Sequence, residues 1–353
     1  MRFLAWVCAL TIPVFSAYAA VSTETVPATP QYSAHGQAFS LVAPPFEFHS
    51  GFWINLHHYL YLRGLPSTTA RFSPLPSMSG SDRKKWDEAV TFYREHIVQR
   101  DFVSDEYLWK MDAYLAKMES APTLSGEFIG NAAANALMLA APIYNQYWWP
   151  RHDAANRFWI ELAHPLVMNL AEQMRLQVTN AYEAEWPATM IRVDVSVYAN
   201  WGGAYTNTED SGLVHTVMSS TEAGYRGVAT LEMLFHEASH AMVDGETGKL
   251  GEAINAQAKA HGIVVPEQLW HALIFYTTGE FARRDLDRVG VRDYEPYAAK
   301  QDLWARGWQD YRSVLELFWQ AHMDGHLSLD EAMSKIMSAL AVVQAKPDPV
   351  RPE

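Results

Sequence analysis

The sequence predicts an α+β fold, predominantly α-helical, in which a small sheet precedes a helix bearing His-Glu-x-x-His and an additional helical region occupies the N-terminal half. Three observations predict it. Long stretches on both sides of residue 185 place apolar residues at helical spacing. Two short runs between residues 191 and 218 alternate or are rich in β-branched residues, as half-buried strands are. A Pro- and Gly-free segment from Ala229 then restores the helical period.

In chain order, Arg2, the apolar Phe3 to Val14 and Ser16-Ala17-Tyr18-Ala19 form the pattern of a signal peptide, residues 1–19, cleaved after Ala19. A membrane anchor fails on length, since a span needs ~20 apolar residues and Pro13 interrupts this run. No later segment is long and apolar enough to span, so the expected location is exported, periplasmic or extracellular. Residues 20–45, rich in Thr, Pro, Ser and Ala, read as a flexible lead-in. A helical region, 46–184, follows with helices near 53–62, 82–98, 105–119, 128–147 and 152–178, the last bent at Pro165. Within it His57 and His58 are adjacent, so on a helix they point ~100° apart and suit packing better than chelation. Tyr147-Trp148-Trp149 likewise reads as aromatic filling of a helix junction.

Residues 185–343 carry the chemistry. Ile191 to Tyr198 and Leu213 to Met218 read as strands, separated by the turn-rich Asn200-Trp201-Gly202-Gly203 and Thr208 to Gly212. In the following helix Leu231, Leu234, Ala238 and Ala241 form a packing stripe, and Asp244-Gly245 supplies a stop. His236 and His240 lie one turn apart on another face, so both imidazoles can reach a single cation. Glu237, ~100° round the helix, is placed to take a proton from a metal-bound water.

The stretch His236-Glu237-Ala238-Ser239-His240, on a helix after a small sheet, resembles the zincin metallopeptidases. With Asp244 after the second histidine it is similar to the gluzincin branch around thermolysin. The metzincin branch, with Gly and a third His soon after the second, is excluded by Ala241-Met242-Val243-Asp244-Gly245-Glu246. The resemblance covers about residues 190 to 300. It implies a peptidase with one Zn²⁺ ion, and a peptide or protein substrate held along an edge strand such as Gly203 to Asn207 or His215 to Ser219.

A catalytic zinc needs a third protein ligand and an open position. The candidates lie on Pro266 to Glu280, read as one helix with Pro266 in its first turn. Glu267, His271 and Thr278 share a face, with Glu280 nearly opposite His271, so they cannot all bind one metal. His271 is the first choice, in the second turn where gluzincins place their third ligand, although that branch uses glutamate. Glu280 is the rival, because Thr278-Gly279-Glu280-Phe281-Ala282 is similar to the Glu-Gly-Phe-Ala stretch of related aminopeptidases with Gly and Glu exchanged; Glu267 remains a third option. Zincins place a Tyr or His over the cleft to stabilise the developing oxyanion, and Tyr297 is nominated first and Tyr294 second.

The chain closes with helices near 299–322 and 329–342, the second opened by a Ser328/Glu331 capping box, and an extended tail, 344–353. With 27 Lys+Arg against 40 Asp+Glu, the net charge of −13 repels phosphate backbones, which argues against nucleic acid as a partner. The only cysteine, Cys8, falls in the leader, leaving no thiolate ligand or disulfide. Imidazole ligands favour zinc over magnesium or calcium. Two other classes stay open: an exported binding protein stapled by a closed metal site, and an aromatic-rich helical module for glycan or cell-wall fragments, using 13 Trp and 17 Tyr as stacking platforms.

Overall fold

The alternation of apolar and polar residues in five short segments produces a sheet with two differently used faces. These are β1 (Phe39–Ala43), β2 (Phe46–Ser50), β3 (Ile191–Ser196), β4 (Ala204–Thr208) and β5 (Val214–Ser219), in spatial order β1-β2-β3-β5-β4. The three central strands are parallel, and β1 and β4 are antiparallel edges. Because successive side chains point to opposite faces, Phe46, Phe48, Ile191, Val193, Val195, Val214 and Met218 enter one core. Tyr205 and Val217 enter a second core on the other side. The computed structural model describes residues 39–66, 75–119, 121–208, 212–243 and 246–344. The expected signal peptide, the lead-in as far as residue 38, Asp244-Gly245 and the tail beyond residue 344 lie outside the described residues.

Five helices pack around the second core: α1 (Phe52–Gly64), α2 (Gly80–His96), α3 (Glu106–Met118), α4 (Gly126–Ile129) and α5 (Asn131–Tyr147). The first core is covered by α6 (Trp149–Tyr182), α7 (Ala229–His240), α8 (Gly248–His261), α9 (Leu269–Arg288), α10 (Tyr297–Lys300), α11 (Gln309–Val314), α12 (Gln320–Met323) and α13 (Leu329–Gln344). Side chains cap several N-termini: Ser79 accepts from the Asp82 amide and Asp105 from the Leu108 amide. The Ser328/Glu331 box forms as expected, with Glu331 N bonded to Ser328 Oγ at 3.3 Å and Ser328 N to Glu331 Oε2 at 2.9 Å.

Several expectations need correction. Residues 39–43, assigned to the lead-in, form β1, and β2 pairs with β3, so the boundary drawn at 184/185 runs through a shared sheet. The helix expected over 128–147 is interrupted at Gly130, whose φ of 80° breaks it into α4 and α5. Residues 299–322 are not one helix: left-handed Asp302 and Gly307 separate α10 from α11, which continues through a π-helical stretch, Leu315–Trp319, into α12. The helix α8 was not expected. His57 and His58 do pack in the core, His57 Nδ1 bonding the Tyr93 hydroxyl at 2.8 Å and His58 Nε2 the Tyr205 hydroxyl at 2.7 Å. Trp148 and Trp149 are buried as filling.

Candidate metal centre

The α7 helix is fixed by Leu231, Leu234, Phe235 and Ala238 in the first core, which leaves His236 and His240 directed toward α9. There His271 completes a cluster: His236 Nε2 lies 3.2 Å from His240 Nε2 and 3.3 Å from His271 Nε2. The three donor atoms all lie within 4.8 Å of one another, and among the described residues this is the group of His, Cys, Asp or Glu side chains able to hold a metal ion. Burial holds all three imidazoles below their ordinary pKa, His240 at about 3 and His271 at about 4, with the neighbouring rings adding to the shift for His236 and His240. They are therefore neutral at pH 7, the form that ligates.

Aromatic rings wall the cluster. Phe275 packs on His236 with centroids 3.9 Å apart, Trp270 stacks on His271 at 5.1 Å, and Trp308 meets His271 edge-on at 5.6 Å. Helical register explains Phe275, one turn after His271 on the same face.

Glu237 is buried and directed toward β4, where Thr206 Oγ1 donates to its Oε2 at 3.0 Å. Thr206 also contacts Thr216 Oγ1 of β5 at 2.8 Å. Burial pushes the Glu237 carboxyl up to about 8, against the opposing effect of the Thr206 bond. The phenol of Tyr225 donates to the Gly202 carbonyl at 2.5 Å; burial and then the nearby Glu237 charge raise its pKa well above the ordinary value. Tyr297 lies beside Tyr225, its ring 5.6 Å away, and is stacked on Phe275 at 5.8 Å.

Of the three candidates for the third donor, the structure brings His271 to the other two imidazoles. Glu280 is not part of the cluster. Nine residues beyond His271 it faces the other way, and its carboxylate binds Arg283 at 2.6 Å and Arg284 at 2.7 Å. Glu267 is exposed and precedes the helix. Because Gln268 takes a left-handed conformation at the N-cap, α9 begins at Leu269 and not at Pro266, so His271 sits in the first turn and not the second. Of the two tyrosines, Tyr294 donates its hydroxyl to Glu232 at 2.6 Å, which commits that phenol away from the cluster. Of the two strands offered for substrate, β4 is an edge and β5 is interior.

Thr206, Tyr225 and Glu232 were not singled out from the sequence. A signal existed for Glu232, a carboxylate four residues before His236 on a helix whose other turns are apolar. Thr206 and Tyr225 reach the site only through the fold.

On the far face of the sheet a second set of polar groups is buried. Arg192 Nε and His215 Nε2 both contact Asp194 Oδ2, at 2.6 and 2.8 Å, and Tyr205 donates to Asp112 Oδ2 at 2.7 Å. No helix among the described residues is long and apolar enough to cross a membrane. Among known proteins, no family model, no curated protein and no solved structure matches this chain.

Proposed function

We propose that this chain is an exported zinc-dependent hydrolase, and within that class a peptidase. The observation that carries the reading is the convergence of three neutral imidazoles from α7 and α9 beside a buried carboxylate on the residue next to the first of them. The donor set fits a cation. His236 Nε2 faces two other Nε2 atoms at hydrogen-bond distance, and one N–H satisfies only one of the lone pairs that meet there, whereas a single cation accepts all three. Three histidines and no thiolate suit zinc better than the hard oxygen-binding ions. When bound, zinc supplies a Lewis acid that polarises a carbonyl and acidifies a water.

The rest falls to the chain's own groups. With a cation held by the imidazoles to offset the burial that raises its pKa, Glu237 accepts a proton at its carboxylate and delivers it to the leaving amine, with Thr206 holding one of its oxygens. As an edge strand, β4 has a side without a strand partner, which would offer main-chain hydrogen bonds to an extended peptide. Tyr297 provides a phenol for the oxyanion that forms at the attacked carbonyl. Export rests on the leader pattern of residues 1–19.

The test compares wild type with Glu237→Gln for zinc content and for hydrolysis of an unfolded protein substrate. The variant should retain zinc and lose turnover by about 100-fold or more. Undiminished turnover removes Glu237 from the mechanism, and a zinc-loaded wild type that cleaves no peptide bond overturns the peptidase reading.

A further inference from the structure

We propose that Glu232 is a positioning residue, which fixes Tyr297 against Phe275, the ring that covers His236; this rests on the reading of Tyr297 as the oxyanion donor. Glu232 is fully buried on α7, one turn before His236. Two groups of one segment converge on its carboxylate. The Tyr294 hydroxyl donates to Oε2 at 2.6 Å, and the Tyr297 amide lies 3.0 Å from both oxygens. Both donors are neutral, so the carboxylate is not there to balance a cation. For packing alone an apolar side chain would serve at less cost. What the carboxylate supplies is orientation: it ties the segment leading into α10 to the helix that bears His236.

The third side is closed by α9. A Cβ on Gly279 would lie 2.8 Å from Pro296 Cβ and 3.1 Å from Glu232 Oε1, so the absence of a side chain lets α9 press the segment onto the carboxylate. From its anchored amide, Tyr297 extends its ring between Phe275 and Gly224. It stacks on Phe275 within 10° of parallel, and Phe275 in turn covers His236. Gly224 leaves the space, since a Cβ there would sit 2.5 Å from Tyr297 Cε2. Backbone and ring are each held, and the backbone hold is Glu232.

The test follows the Tyr297 ring directly. In protein labelled with 3-fluorotyrosine, the Tyr297 ¹⁹F resonance is identified by its loss in Tyr297→Phe. Glu232→Met removes both acceptor oxygens and should shift or broaden that resonance; Glu232→Gln keeps one oxygen and should move it less. In zinc-loaded protein, Tyr297→Phe should lower kcat by about 100-fold and Glu232→Met by about tenfold, with KM and zinc content unchanged. Adding Glu232→Met to Tyr297→Phe should cost nothing further in kcat. An unmoved Tyr297 signal in both Glu232 variants, or an equal kcat loss with and without the Tyr297 hydroxyl, overturns the assignment. If Glu232→Met does not fold, Glu232→Gln gives the same two readings. Should wild type prove inactive on peptides, the peptidase reading fails while the fluorine spectra still decide whether Glu232 places Tyr297.

Discussion

Replacing His271 and Glu280 separately, each by alanine, separates the two readings of α9 by their coupling to zinc. A ligand that binds only the folded state stabilises it by RT ln(1 + [L]/Kd), about 2.7 kcal/mol at a free concentration one hundred times Kd. His271 supplies one of the three nitrogens in the cluster, so His271→Ala should lose nearly all of that increment. Glu280 instead holds two arginines whose side chains are 45% and 32% exposed, and Glu280→Ala should cost about 1 kcal/mol or less, the same with and without metal. The quantity to measure is the difference between melts in excess zinc and in chelator, which cancels whatever each substitution costs in packing. Wild type and Glu280→Ala should gain about 5 °C from zinc, and His271→Ala close to nothing. A full zinc increment in His271→Ala, joined to its loss in Glu280→Ala, would refute the three-histidine site.

Two further predictions concern the scaffold. Asp194→Asn removes one of the two carboxylate partners of half-buried Arg192 and the acid beside buried His215, and should destabilise by about 1–3 kcal/mol at pH 7, read in urea melts. In the wild type, burial raises the Asp194 pKa but Arg192 and His215 outweigh it and leave the carboxyl well below the usual range. Its contribution is therefore present above the unfolded value of about 3.9 and is lost as pH falls below it, so the gap between wild type and variant should narrow below about pH 4; a gap that stays constant there would exclude Asp194 as its source. Gly279→Ala places a Cβ against Pro296 and Glu232 and should cost about 1–3 kcal/mol by overpacking, whereas unchanged stability would show that α9 does not press on that segment.

The candidate metal centre was legible where local spacing alone carried it. His236, Glu237 and His240 are set by one helical turn; opposite faces of a second helix made His271 and Glu280 alternatives, and the resemblance to gluzincins put His271 first. The start of α9 was misread because Pro266 looks like a first-turn residue, while the left-handed turn at Gln268 has no strong sequence mark. Strand β2 carries a period-2 signal in Phe46-Glu47-Phe48-His49 but stands at the start of the region read as helical, and β1 ends the stretch whose Thr, Pro, Ser and Ala content read as a lead-in. The helix α8 buries Leu250, Ala253, Ile254 and Ala258, and a stripe half made of alanine scarcely stands out from its surroundings. Thr206 and Tyr225 were beyond reach, because their approach to Glu237 depends on how β4 and the segment before α7 lie against it.

The helix that bears the motif, like α1 with its Asn55, His57 and His58, carries polar residues into the core. Ten of its twelve residues are buried, and five of those, Thr230, Glu232, His236, Glu237 and Ser239, are polar. A core helix built for stability alone would not carry them, since each needs a partner or costs about 1–3 kcal/mol. Partners are supplied one by one: Thr230 to the Tyr225 carbonyl, Glu232 to Tyr294 and Tyr297, Glu237 to Thr206, Ser239 to the Phe235 carbonyl. His236 is the member whose Nδ1 lacks a partner and whose Nε2 faces only other imidazoles. Conflict between a local pattern and the demands of the core concentrates at functional sites. The polar groups that have partners locate the fold's expenditure on geometry, and the imidazole whose Nε2 faces only two others lies where the cluster is able to hold a cation.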